Sequence, residues 1–445
     1  MASTLPASSM KSSEDSPTPP AKRFAPGSGG SSISSTPAPD EKRPLTGKRC
    51  VDSDGVYSVE RFRRYDLALR LFSTISKGRF AGDVSFPDSN CRRKVYRLVF
   101  DLLYHRGVIE EMLIESGFYS RNCELHGQQT LVQLMTYDYQ QWKFSLKLPR
   151  EDLENVPTVM LTVAKALCKH RVRLNAALAR MRVKSNAQTT SHLMTEASFA
   201  KYQAVVTQPF HVRINASKVH NLQRGVISPL CEDGYTLCAG REELKKGEKR
   251  FWQQERTLLA FSPDAREAFL HHPLLSEGLL VPQDSASYYL VEAIRDLIAQ
   301  CTGDVILTHC NSGAEVAHIA SLLSRGSRVV VYGVLPVQMD SLKRSLHAQE
   351  IDTLPDVDFV HAPFTTADSA DLSNASVIIC LPPSSLSTVT QPLDFILQEG
   401  DHFASLLLSE KRQQLRNSLP REQNSTLAPA LTSESAQIFC PPYCV

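Results

Sequence analysis

The apolar positions of the chain change period twice. Between Val51 and Ser198 they recur at helical spacing. In Val59–Ile75, Phe62, Leu67, Leu69, Leu71 and Phe72 lie around a helix that Arg61, Arg63, Arg64 and Arg70 interrupt. Arg92–Ser116 carries Val95, Leu98, Val99, Leu102 and Leu103, then Ile109, Met112 and Leu113. That is the i, i+3, i+4 stripe of a core-facing helix. Gln129–Tyr139 repeats it, and together these stripes predict a helical bundle. From Gln208 to Pro282 the pattern is mixed. Phe210–Ile214 alternates as a strand, whereas Leu237–Gln254 is charged and reads as a loop. Phe251, Trp252 and Phe261 interleave rings with that charge. Packing within a small α/β subdomain is the reading preferred for them over base stacking.

Beyond Pro282, short apolar runs alternate with helical stretches. Ser285–Ala299 predicts a helix capped by Asp284 or Ser285, with Leu290, Ala293, Ile294 and Leu297 on one face. Asp304–Leu307 predicts a strand, Thr308–Gly313 a small polar turn and Ala314–Leu323 a helix. Strand Val329–Tyr332, helix Met339–Gln349, strand Val357–Val360 and a loop over Ala362–Leu372 follow. Ser376–Leu381 is a further buried strand, stopped by Pro382-Pro383. Phe403–Leu419 predicts a helix, and Ala436–Cys440 one more strand. The expectation is an open, mainly parallel α/β sheet with Val305–Leu307, Val329–Tyr332, Val357–Val360 and Val377–Leu381 as neighbours. Such sheets bind ligands beyond the carboxyl ends of their strands. The Thr308–Gly313 loop is therefore either a cofactor loop or a plain connection; its single Gly falls short of a dinucleotide fingerprint.

A length of 445 residues accommodates several domains. Residues 1–50, rich in Ser and Pro, hold too few large apolar side chains to offset chain entropy and are expected to be disordered. The remainder divides at 51–200, 201–282 and 283–445, the middle unit being a candidate for RNA contact. The formal net charge is only +2, so any nucleic-acid surface must be local. One stretch qualifies: Lys165–Lys184 carries Lys165, Lys169, Arg171, Arg173, Arg180, Arg182 and Lys184 with no acid among them. The helix is either a solvated surface face or a nucleic-acid contact; because solvated helices ordinarily mix signs to gain i, i+4 pairs, a one-sign helix favours a polyanion. No apolar run reaches a membrane span, and Met1–Met10 lacks the apolar core of a signal peptide. Eleven scattered Cys without metal-ligand spacing fit a reduced, intracellular chain of nucleus or cytoplasm.

Several segments resemble the Nol/Nop/Sun RNA (cytosine-5) methyltransferases, related to the bacterial Fmu proteins. H-V-R-I-N-A-S-K at His211–Lys218 matches the R-x-N segment before that family's catalytic domain. L-V-P-Q-D-S-A-S at Leu280–Ser287 matches its Q-D-x-A-S signature. V-I-L-T-H-C-N-S-G-A-E at Val305–Glu315 aligns without a gap on its D-x-C-A-A-P-G-x-K-T segment. I-I-C-L-P-P-S-S-L at Ile378–Leu386 lies where the family has D-P-P-C-S-G. A-A-L-A-R at Ala176–Arg180 and P-L-D-F-I-L at Pro392–Leu397 point to one vertebrate branch of it.

The resemblance implies a Rossmann-like S-adenosylmethionine methyltransferase fold, RNA as partner and S-adenosylmethionine as cofactor. It also implies two cysteines: one thiolate adds to C6 of a cytosine taken out of its stack, and a second, in P-P-C, helps release the product. Carried over position by position, the cofactor contacts fall on Leu307, His309, Cys310, Asn311, Ser312, Gly313, Glu315, Gly333, Pro363 and Leu381. Leu307 replaces the acid that opens the loop, Ser312 its Pro and Glu315 its Lys. Gly333 replaces the acid expected on the ribose, Pro363 the Asp near the adenine, and Leu381 the Asp before P-P-C. Ser384 replaces the release cysteine, and the nucleophile falls to Cys440 or Cys444 in C-P-P-Y-C-V. RNA contacts would comprise the Lys165–Lys184 cations with Arg213 and Asn215. Each lost charged hydrogen bond costs roughly 1.5–3 kcal/mol. The expectation is an RNA-binding protein of this family with impaired catalysis; the alternative is an active methyltransferase using Cys440 or Cys444. Since family members continue past the nucleophile strand, a C-terminally shortened methyltransferase-like domain is also expected.

Overall fold

A computed structural model describes residues 55–77, 84–148, 156–245, 247–269, 271–310, 312–324, 326–349, 357–368, 370, 372–381, 389, 391–408 and 437–439. Five long helices form the first layer: α1 (Val59–Ser76), α2 (Ser89–Glu115), α3 (Gln129–Gln141), α4 (Thr158–Lys184) and α5 (Glu196–Thr207). Side-chain oxygens start the first two. Ser58 accepts from Arg61 N at 3.2 Å and Asp88 from Cys91 N at 2.7 Å. The predicted stripes meet in one core, with Phe62, Leu71, Val99, Ile109, Leu134, Leu167 and Leu174 buried. Arg61, expected to interrupt the first helix, is only 2% exposed. Asp138 of α3 receives both its guanidinium and the Tyr65 hydroxyl at 2.5 Å, which makes the buried charge tolerable.

The middle unit is a sheet of β1 (Phe210–Ile214), β2 (Thr236–Cys238), β3 (Arg250–Glu255), β4 (Leu258–Phe261) and β5 (Leu280–Pro282), in the order β2-β3-β4-β1-β5. Only β2 and β3 run parallel. Leu237–Gln254, read above as a loop, supplies most of β2 and β3. Charge at the strand ends masks the pattern there, while Phe251 turns inward and stacks on Phe261 at 5.7 Å.

The third unit opens with α6 (Ser285–Ala293), capped by Asp284. The backbone resets at Ile294, so the single helix expected over 285–299 is two. Then come β6 (Asp304–Leu307), α7 (Gly313–Ala320), β7 (Val329–Val331), α8 (Met339–Ala348), β8 (Val357–Phe359), β9 (Ala375–Ile379), α9 (Pro392–Glu399), α10 (Ala404–Leu408) and β10 (Gln437–Phe439). The sheet order is β10-β9-β6-β7-β8, and every pairing is parallel. The four expected strands are neighbours, and the fold is an α/β sheet flanked by helices. Of the helix expected over 403–419, the described part is α10, which follows a short turn over Asp401–Phe403; the rest lies outside the described residues. Ile396, Ala404, Leu407 and Leu408 bury into the core of the helical layer, and Val51–Val445 forms one compact unit.

Candidate functional site

In this sheet the chain leaves β6 toward β7 on one side and returns to β9 on the other. A ligand crevice is expected at that reversal, beyond the end of β6. The gap between β6 and β9 is laced by Thr308, whose N donates to Ile379 O at 3.2 Å and whose Oγ1 accepts from Leu381 N at 2.9 Å. Ser312 then caps α7, its Oγ accepting from Ala314 N at 3.2 Å. Gly313 is demanded by packing: a β-carbon there would lie 2.9 Å from Ser345 Cβ of α8.

The start of α7 already has a carboxyl partner from within the chain. Glu399, the last residue of α9, accepts from Ser312 Oγ and from Gly313 N, each at 2.7 Å. Helix N-termini favour such a carboxylate through aligned N–H groups and partial positive charge. Burial pushes the Glu399 carboxyl upward, opposed by the bonds from Gly313, Ser312, Ala314 and Gln398. Glu315 lies in the first turn of the same helix, 5% exposed. Burial first, and the neighbouring Glu399 second, raise it from 4.5 to about 8. Glu315 is therefore largely protonated at neutral pH rather than a negative charge beside a ligand. The Cys310 thiol is likewise pushed far up by burial, then by Glu399 and Glu315, and is not a thiolate.

The remaining cofactor positions offer little to S-adenosylmethionine. Leu307 and Leu381 lie inside the apolar core of the sheet. Gly333 has φ +67°, and a β-carbon on it would come within 3.2 Å of His309 Nδ1, so an imidazole flanks the ribose position. Burial lowers the His309 pKa, which keeps that ring neutral. Pro363 is exposed, and its carbonyl accepts from Thr366 in a tight turn. With no acid at Leu307, Gly333 or Leu381 and Glu399 on the helix terminus, these residues do not fit the cofactor that the resemblance implies. Asn311, Ser384, Cys440 and Cys444 lie outside the described residues. Among the described residues no cluster suits a metal ion.

Arg213 and Asn215, read above as RNA contacts, are placed in the interior. Arg213 is 2% exposed; its Nε donates to Gln283 at 2.8 Å and its Nη2 to Gln349. Burial lowers it to about 10. Asn215 Nδ2 donates to Gly278 O and Gln349 O, both at 3.1 Å. Lys218 Nζ reaches Glu277 O at 2.8 Å and Ala348 O at 3.4 Å, closing the end of α8. The H-V-R-I-N-A-S-K segment therefore fastens the middle unit to the sheet unit. Gln283 continues the network to His318 at 3.3 Å, and His318 to Glu292 at 3.3 Å. Burial lowers His318 to about 4. Glu292 falls to about 2: burial opposes the shift, and the His318 and Arg295 hydrogen bonds outweigh it.

The basic helix is open to solvent. Lys165, Lys169, Arg171, Arg173, Arg180, Arg182 and Lys184 are all exposed on α4, opposite its buried Leu167, Leu174 and Met181. At 100° per residue, Lys165, Lys169, Arg173, Arg180 and Lys184 share one flank, ~29 Å from end to end. Arg180 lies 3.8 Å from Glu115, and Arg182 closes the following turn on Ala187 O and Gln188 O. The other five have no carboxylate partner among the described residues. Val172 and Val183, 78% and 82% exposed, stand among them.

The residue that sequence reasoning missed is Glu399. It stands 86 positions from Gly313, and no local pattern ties the two. Its only cue was P-L-D-F-I-L at Pro392–Leu397, with Pro at a helix start.

No family model matches the chain. It is similar to the curated protein putative methyltransferase NSUN7 of Mus musculus, 28% identical over 343 residues, or 76% of this chain and 46% of that one. The Homo sapiens protein of the same name is 25% identical over 71% of this chain and 43% of its own length. The chain thus spans about half the length of these relatives. The resemblance to Sun-type methyltransferases is met by their names. Among solved structures, the crystal structure of PH0851 aligns over 84% of both chains at 14% identity, TM-score 0.47. NSun6 from Pyrococcus horikoshii with SFG aligns over 56% of this chain and 79% of its own, at 10% identity and TM-score 0.29. Among the described residues no helix is long and apolar enough to cross a membrane.

Proposed function

We propose that the chain is an RNA-binding protein of the Sun-type RNA (cytosine-5) methyltransferase lineage that neither binds S-adenosylmethionine nor transfers its methyl group. The observation that carries this reading is the Glu399 carboxylate on Ser312 and Gly313, where an anionic ligand would otherwise meet the α7 N-terminus. The apolar Leu307 and Leu381 and the bare Gly333 support it, because a ribose or amine needs acceptors that they lack. RNA binding is supported by the exposed one-sign flank of α4, a charge pattern that counterion release rewards on a polyanion. The curated relatives are named as methyltransferases, which supports the lineage.

Calorimetric titration of the purified chain with S-adenosylmethionine tests the reading. No heat of binding is expected up to millimolar ligand, and micromolar affinity overturns it. An RNA adduct stable in detergent and lost on Cys440→Ala or Cys444→Ala would instead favour an active enzyme.

A further inference from the structure

Glu399 reaches α7 because its helix is fastened on two sides. Toward the sheet, Ser341 Oγ of α8 donates to Gln398 O at 3.0 Å and Gln398 Nε2 to Pro282 O at 3.1 Å. Toward the helical layer, Arg92 of α2 donates to Leu397 O at 3.0 Å and Ile396 O at 3.1 Å, closing the end of α9. Arg92 also pairs with Asp401 at 2.6 Å, and Asp394 lies 3.4 Å from Arg93 and 2.5 Å from Arg266. Ile396 is fully buried in the core of the helical layer. The element that carries the carboxylate is thus held by arginines of a different unit from the helix that it caps.

The position is also contested. Glu315 is buried in the first turn of α7, and no hydrogen-bond partner holds it among the described residues. Two carboxyls there cannot both ionise without mutual repulsion in a poorly solvated site. Glu399 is held there by Ser312 Oγ, Gly313 N and Gln398 Nε2 and by the clamp on α9, whereas Glu315 has none of these contacts.

We infer that α9 is a latch: it fills the anion site at the start of α7 with the chain's own carboxylate, and Arg92 and Arg93 of α2 keep it there. A small free carboxylate enters the same site only when Glu399 withdraws. The inference rests on the closed-site reading above, but its test uses neither S-adenosylmethionine nor RNA, so the two fail separately.

Acetate is the probe, with sodium chloride at equal ionic strength as control, and the full chain is compared with Glu399→Ala, Glu399→Gln and Arg92→Ala/Arg93→Ala. In Glu399→Ala, hydrogen exchange at Gly313 and Ala314 should accelerate by about tenfold or more, and acetate should reverse it and raise Tm. Glu399→Gln fills the site with an amide and should ignore acetate, as should the unaltered chain. The double arginine variant should loosen 392–399 and make Gly313 acetate-sensitive with Glu399 intact. Acetate acting no better than chloride on Glu399→Ala overturns the anion site. Should Glu399→Ala not fold, the arginine variant carries the test alone. Exchange at Gly313 that stays slow and acetate-insensitive in that variant overturns the latch.

Discussion

The imidazole of His309 lies against the α-carbon of Gly333: a β-carbon built there would be 3.2 Å from Nδ1, on a backbone with φ +67°. Glycine at this position is favoured by geometry as well as being a lost acid. Asp tolerates the left-handed region better than most residues, yet at a cost of about 1 kcal/mol. Gly333→Asp should therefore lower the urea midpoint and leave S-adenosylmethionine titrations as flat as those of the unaltered chain. His309→Ala should relieve part of the loss, so a double-mutant cycle should show a favourable coupling. Recovery of cofactor binding in Gly333→Asp would count against the closed cleft.

The α4 flank gives a prediction about salt. Lys169, Arg173 and Lys184 are exposed and have no carboxylate partner among the described residues, whereas Arg182 is engaged with its own turn. Reversing these three to Glu should weaken RNA binding and flatten the plot of log K against log salt by up to about 0.7 per contact removed. Arg182→Glu alone should act chiefly on stability. A filter-binding series over salt separates the two, and an unchanged slope in the triple variant would make α4 only a solvated face.

The sheet could be read from the chain because each of its strands is a short apolar run bounded by turn residues. Val329–Val331 and Ala375–Ile379 are buried almost throughout and carry no competing signal. β2 and β3 could not be read, because little of either strand is buried and Arg250 and Glu255 at the ends of β3 hide the alternation. Leu307, Gly333 and Leu381 stood out as departures from a known motif, a comparison of residue types that needs no coordinates. Glu399 is a different kind of fact. Its contact with Gly313 depends on how α9 docks, which is set by Ile396, Asp394 and Asp401 against the helical layer, and no spacing rule encodes that. Arg213 misled for a related reason: basic and close to an Asn, it suits phosphate on composition, while burial assigns it to Gln283 and Gln349.

That assignment can be measured. Arg213→Ala would leave Gln283 and Gln349 short of a donor inside the protein and open a cavity, at a cost of at least about 2 kcal/mol. Arg213→Lys should recover little, since one ammonium cannot satisfy acceptors on two elements that a guanidinium spans. The urea midpoint should fall in both variants, with RNA affinity per folded molecule unchanged. Loss of RNA affinity in a fully folded Arg213→Lys would return this residue to the interface.

Glu315 gives the chain a stability that declines toward alkaline pH. Its carboxyl is raised from 4.5 to about 8 by burial and then by Glu399. Below pH 4.5 both folded and unfolded chains hold the proton, and the group is neutral to stability. Between roughly pH 4.5 and 8 the unfolded chain has released it while the folded chain retains it, so folding must take up a proton. Stability then falls as pH rises, with a slope from this one group approaching about 1.4 kcal/mol per pH unit. His318 and Glu292 act in the opposite sense on the acid side, since their folded values of about 4 and about 2 lie below their ordinary ones. Glu315→Gln removes the titration while keeping the volume. Its urea midpoint should match that of the unaltered chain near pH 5 and exceed it increasingly toward pH 8. Parallel midpoint curves for the two proteins across that range would mean that Glu315 titrates as a solvated carboxylate, and that the buried pair with Glu399 does not form in solution.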